Sequence, residues 1–110
     1  MSDGPWIDVG ARDSLSFDQG AVVEAEGRQL ALFPDGDGFR AIDNICPHAG
    51  GPLALGWLQG TAVVCPWHAW EFDIRTGTCV TSDEYRVGSY PVREVEGRLQ
   101  VQLPPEAPQP

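Results

Sequence analysis

The stretch Cys46–Trp70 reads CPHAGGPLALGWLQGTAVVCPWHAW. It opens with Cys-x-His (Cys46, His48) and closes with Cys-x-x-His (Cys65, His68), and it holds both histidines and two of the three cysteines of the chain. From Asn44 to Trp70 there is no Asp, Glu, Lys or Arg, although 21% of the chain is charged. Short Cys/His pairs on two loops, separated by 16 residues, are the pattern of a four-ligand metal site presented at an apolar surface. Pro47 and Pro66 stiffen the position after each cysteine, while Gly50 and Gly51 allow backbone geometry closed to other residues. Such loops can aim backbone N–H groups at an anionic sulfur.

Outside this stretch, the composition argues for strands. Gly and Pro together number 23 (13 and 10), against roughly 13 at average usage. No segment free of both exceeds ten residues, which leaves little room for helices that average about 11–12 residues. Short β-prone runs between turn residues point to an antiparallel sandwich or barrel. Expected strands are Trp6–Val9, Ala21–Ala25, Arg28–Phe33, Phe39–Asp43, Thr61–Cys65, Glu71–Ile74, Tyr90–Val95 and Arg98–Leu103. Glu26-Gly27 and Glu96-Gly97 are candidate hairpin turns, Pro34–Gly38 a surface turn, and Arg75-Thr76-Gly77 a third turn. Leu99, Val101 and Leu103 alternate with Gln100 and Gln102, the period of a half-buried strand. The expected organisation is a flexible N-terminus over 1–4, one domain over 5–103 with metal-binding loops at about 44–72, and a Pro-rich tail over 104–110.

The net charge is −9, from 16 carboxylates against seven arginines and no lysine. Such a chain repels phosphates and anionic lipid, so neither nucleic acid nor a membrane surface is an expected partner. No apolar run is long enough to span a bilayer. The opening MSDGPWIDVG has neither a basic leader nor an apolar core, so no secretory signal is expected and the cytoplasm is the expected compartment. There, cysteines serve more often as ligands or free thiols than as disulfides.

Two identities compete for Cys46, His48, Cys65 and His68. A structural zinc site accepts two Cys and two His, and so does a [2Fe–2S] centre with two Cys on one iron and two His on the other. An all-cysteine cluster needs four thiolates, and this chain has three cysteines. Zinc sites usually pair Cys with Cys and His with His, whereas each loop here carries one of each. That mixed arrangement lets each loop give one ligand to each iron.

At these residues the sequence resembles the Rieske family. Cys46-Pro47-His48 with Cys65-Pro66-Trp67-His68 is similar to its two-box signature. The likeness continues through Gly50-Gly51, Glu71-Phe72-Asp73, Arg75-Thr76-Gly77 and Tyr90-Pro91-Val92 with Glu96-Gly97. It is nearest to the free-standing Rieske-type ferredoxins and the small subunit of assimilatory nitrite reductase. The resemblance implies an all-β, antiparallel β-sandwich with a small cluster-binding loop subdomain. It also implies one [2Fe–2S] cluster per chain, held by Cys46, His48, Cys65 and His68, and no catalytic residues. The implied role is one-electron carriage from a flavoprotein reductase to a terminal oxygenase or other oxidoreductase. A free carrier is expected to be a monomer; the alternatives are a subunit of a nitrite-reductase-type complex and a zinc-stabilised module. A cluster with two neutral imidazoles is formally neutral when oxidised and carries a single negative charge when reduced, which raises its potential above that of all-thiolate clusters.

Departures from the family pattern sharpen this expectation. High-potential relatives place a disulfide where this chain has Gly51 and Trp67, and hydroxyl donors where it has Trp70 and Phe72. Fewer hydrogen bonds to sulfur imply a potential toward the low end of the Rieske range of about −150 to +300 mV. The segment Thr81–Tyr85, matched to a third loop over the cluster, has no proline. Trp57, Trp67 and Trp70, with Leu53, Leu55 and Leu58, are expected to shield the site or face a partner. Cys79 is expected to be a packed strand cysteine, and Asp83-Glu84 a solvated turn.

Overall fold

The computed structural model describes residues 5–15, 20–36, 38–46, 50–67, 70–80 and 85–103. Nine strands carry them: β1 (Trp6–Ala11), β2 (Ala21–Ala25), β3 (Arg28–Asp35), β4 (Gly38–Asp43), β5 (Trp57–Gln59), β6 (Ala62–Val64), β7 (Glu71–Asp73), β8 (Ser89–Val95) and β9 (Arg98–Gln102). There is no α-helix among the described residues, only two three-residue 3-10 turns, Arg12–Ser14 and Leu53–Leu55. Every pairing is antiparallel. A six-stranded sheet runs β1-β9-β8-β4-β3-β2, and a three-stranded sheet runs β5-β6-β7. The edge strands β1 and β2 also touch, so the larger sheet curls on itself.

Two hairpin turns set the register. Ala25 pairs with Arg28 across Glu26-Gly27, and Val95 with Arg98 across Glu96-Gly97. Both central residues of each turn have positive φ (54° and 78°; 53° and 80°), the tight two-residue geometry whose twist matches that of the flanking strands. The expected turn Pro34–Gly38 is narrower than its composition indicates. β3 continues through Pro34 and Asp35, and Asp35 pairs with Gly38. β2 reaches only as far as Leu32, so β3 has an open edge at Pro34, where a residue without an N–H is tolerated. The structure also adds β5, whose three residues between Gly56 and Gly60 are too few to show a period.

The strands β3 and β4 form a wall shared by two cores. Leu30 and Leu32 of β3 and Ala41 of β4 join Val23, Tyr90, Leu99 and Val101 inside the curled sheet. Ala31 and Phe33 of β3 and Ile42 of β4 point the other way, against Leu53, Ala54, Val63, Phe72, Ile74 and the three cysteines. This explains why Leu30-Ala31-Leu32-Phe33 is apolar without alternation: a strand covered on both faces has no polar side to show. All four are at most 1% exposed.

Candidate metal centre

Each box is a short loop closed at its neck. The amide of Cys46 donates to the carbonyl of Gly51 at 2.8 Å, and the amide of Gly50 donates to the carbonyl of Cys46 at 2.7 Å. One residue further out, Ile45 and Pro52 bridge. The second loop closes the same way, the amide of Cys65 donating to the carbonyl of Trp70 at 2.7 Å. Both loops therefore span six residues, with a cysteine at the first position and the amide-to-carbonyl bond at i to i+5. Loop 46–51 follows β4; loop 65–70 joins β6 to β7, whose pairing (Val63 with Phe72, Val64 with Glu71) fixes its base.

Cys46 and Cys65 are buried, unbridged by disulfide, and part of one apolar cluster. Two soft thiol donors at the necks of neighbouring loops, walled by apolar side chains, suit an iron–sulfur centre. His48 and His68 lie outside the described residues, as do Pro47, Ala49 and Ala69. Cys79 pairs with Phe72 through an isolated bridge and is 7% exposed, a packed cysteine as expected.

The loop-bearing unit is fastened to the wall by polar clamps. Asn44, 3% exposed, donates from Nδ2 to Gln29 Oε1 at 2.7 Å and accepts at Oδ1 from the amide of Ala54 at 2.8 Å. Its backbone repeats the link, its amide donating to the Gln29 carbonyl and its carbonyl accepting from Leu53. One residue two positions before Cys46 thus ties β3 to the 3-10 turn Leu53–Leu55. On the other side, the Arg40 guanidinium donates to Ser89 Oγ at 3.0 Å and to the Arg75 carbonyl at 3.1 Å, and Ser89 Oγ donates to the Ile74 carbonyl at 2.8 Å. Arg75 returns to Asp35 at 2.8 Å, and this hydrogen-bonded pairing holds the Asp35 carboxyl below its usual range. None of these clamps was singled out from sequence. The only hint was a lone Asn ending an apolar strand just before the first cysteine.

Below Asn44, Asp43 Oδ2 accepts from the amide of Gly88 at 2.7 Å and Oδ1 from the Tyr90 hydroxyl at 2.8 Å. Arg28 donates to the same hydroxyl at 3.0 Å. Burial first, then the bond to Asp43, raises the Tyr90 hydroxyl above its ordinary pKa. A side chain on Gly88 would strike this hydroxyl.

The aromatic and aliphatic residues divide. Leu53 is fully buried, whereas Ile45, Leu55, Trp57 and Trp67 are each about half exposed. Trp70 is partly buried and meets the Tyr85 ring edge-on at 5.2 Å. Of Thr81–Tyr85, matched to a third loop of the family, only Tyr85 is among the described residues; 81–84, with the Asp83-Glu84 pair, lie outside them.

A family model for the Rieske [2Fe-2S] domain matches residues 5–91. The chain belongs to the Rieske family. This Rieske chain is 34% identical over 100 residues to the anthranilate 1,2-dioxygenase ferredoxin subunit of Burkholderia cepacia, covering 89% of its own length and 92% of that protein. It also superposes on a chain of the complex of reduced oxygenase and oxidised ferredoxin in carbazole 1,9a-dioxygenase. There the TM-score is 0.75 at 29% identity, covering 88% of this chain and 92% of that one. A chain assigned as the small subunit of an NADH-dependent nitrite reductase from Mycobacterium tuberculosis gives a TM-score of 0.81 at 30% identity, covering 94% and 96%. The Rieske fold, expected as an antiparallel β-sandwich with a loop subdomain, is therefore the fold observed. No helix of the described residues is long and apolar enough to cross a membrane.

Proposed function

We propose that this Rieske protein is a one-electron carrier whose [2Fe–2S] cluster is held by Cys46, His48, Cys65 and His68. The observation that carries the reading is the pair of six-residue loops, each closed at its neck by a cysteine amide, with both thiols buried in one apolar cluster. When bound, the cluster accepts and returns a single electron. The chain's own residues exclude water around the thiols, hold the two loops in fixed register, and keep charged groups out of the stretch from 44 to 70. An uncharged tip can meet a partner without first stripping hydrated ions from its own surface. The cysteines also fit zinc, so the donor chemistry is decided by the family match and by assay.

The chain carries no substrate site of its own in this reading: both histidines are cluster ligands, leaving none to build a second metal site of the two-His, one-carboxylate type. Electrons pass from a flavoprotein reductase to a terminal oxygenase, in the cytoplasm, and the likeness to dioxygenase ferredoxin subunits supports this direction. A second reading, a permanent small subunit of a nitrite-reductase-type complex, is supported by the likeness to such a subunit. Purification from its native cell separates them: a monomer that exchanges between partners fits the carrier, and near-equal co-purification with a large reductase fits the subunit.

The test of the cluster is an EPR spectrum of the dithionite-reduced protein with iron and acid-labile sulfide counted alongside. Two irons and two sulfides per chain, with a rhombic signal of mixed His/Cys ligation, are expected. A colourless zinc protein would sink the proposal.

A further inference from the structure

The two loops meet at Gly51. It is buried, although Gly50 beside it is exposed. A Cβ built on Gly51 would stand 2.9 and 3.0 Å from Cγ and Cδ2 of Trp67 and 3.2 Å from the Cys65 sulfur. Gly51 is not among the residues with positive φ, so no torsion demands glycine there; lack of room does. What covers Gly51 is the Trp67 ring, yet Trp67 itself is 57% exposed. A tryptophan that served only as filler would bury most of its large surface. This one lies with part of its ring on a bare Cα, the rest outward, two residues after Cys65 and one before His68.

We propose that Trp67 is the solvent shield of the centre: its ring, seated on Gly51, closes the junction between the loops beside the Cys65 sulfur and sets both the reduction potential and the lifetime of the cluster. The inference rests on the cluster reading above. Its physical basis is the charge of the centre, which gains one negative charge on reduction. Water admitted to the sulfur solvates that charge, favouring the reduced state, and also gives chelators and protons access to the ligands. Opening the junction therefore raises the potential and shortens the life of the cluster. Gly51 is the floor on which the shield rests, a positioning residue that acts through Trp67.

The experiment uses the full-length, cluster-loaded protein and reads the midpoint potential and the rate of bleaching under excess iron chelator. Trp67→Ala should raise the potential and speed bleaching about tenfold, the scale on which residues behind metal ligands act. Trp67→Phe, which keeps a ring on Gly51, should stay close to the parent. Gly51→Ala should move both readouts in the same direction as Trp67→Ala, because the added methyl displaces the ring. The double variant should match Trp67→Ala alone, since no ring is left to displace. If Trp67→Ala fails to hold a cluster, the Phe variant and Gly51→Ala decide. A parent-like Gly51→Ala, a parent-like Trp67→Ala, or effects that simply add would overturn the proposal. A parent protein that purifies without iron and sulfide overturns the cluster reading and this inference together; a loaded parent with an unmoved Trp67→Ala overturns this inference alone.

Discussion

Inside the curled sheet, β3 and β4 pack on residues from strands of five to eight residues in unbroken or once-bulged register. On their other face the same strands pack on residues from three-residue strands, loop necks and isolated bridges. The first core is supported by long backbone ladders. The second has only short ladders of its own and encloses all three cysteines, the loop residues Cys46 and Cys65 among them. A unit held by short ladders and single loop bonds relies on its clamps and, in the reading above, on the cluster that joins its loops. One wall thus carries a core that folds by pattern and a core completed by chemistry.

The sharpest way to break this comparison is to remove a ligand. Cys65→Ser should abolish the cluster and speed amide hydrogen exchange across β5, β6 and β7, while β3, β8 and β9 remain protected. Uniform protection in both units would show that the second core stands without its cofactor. The next test exploits neighbours on opposite faces of one strand. Leu32→Ala should cost about 2–5 kcal/mol and Phe33→Ala about 3–5 kcal/mol in chemical denaturation. Only the Phe33 variant should also shed its cluster faster, because only Phe33 lies on the cysteine side.

Asn44→Ala is expected to cost less, about 1–3 kcal/mol, by leaving the Ala54 amide and Gln29 without their partner. Its effect should fall on cluster retention more than on the exchange rates of β8 and β9. The smallest effect is confined to alkaline pH. The Tyr90 hydroxyl has its folded pKa raised above the unfolded value of about 10. Its contribution is therefore complete below pH 10 and is lost as pH rises from there toward the folded value. Denaturation midpoints should fall above pH 10 in the parent and fall less steeply in Tyr90→Phe.

The same division governs what could be read from sequence. Leu99, Val101 and Leu103 announced a strand because one of their faces is dry and the other wet. Glu26-Gly27 and Glu96-Gly97 marked hairpins because their position between β-prone runs left no other role for them. Cys46 and Cys65 stood out because their spacing to histidine is chemical and needs no periodicity, and the structure sets both at the necks of two loops in one apolar cluster. By contrast, Trp57–Gln59 was invisible: three residues do not make a period. Asn44 and the links from Arg40 to Ser89 and Arg75 were missed since a clamp is defined by partners 10 to 49 positions away, and no local pattern encodes such distances. The closeness of Gly51 to Trp67 belongs to the same class. The sequence displayed both residues, but only the fold puts one on top of the other.

The way the loops are tied has a consequence for the supply of N–H donors. In the first loop the amides of Cys46 and Gly50 are committed to carbonyls of that loop, and residue 47 is a proline with no N–H. In the second the amide of Cys65 is committed to Trp70, and residue 66 is again a proline. Half of the first loop and a third of the second therefore have no spare dipole to point at an anionic sulfur. The bonds that make each loop rigid are drawn from the set of donors that would otherwise quench negative charge, so rigidity and electron affinity trade against each other at the neck of each box.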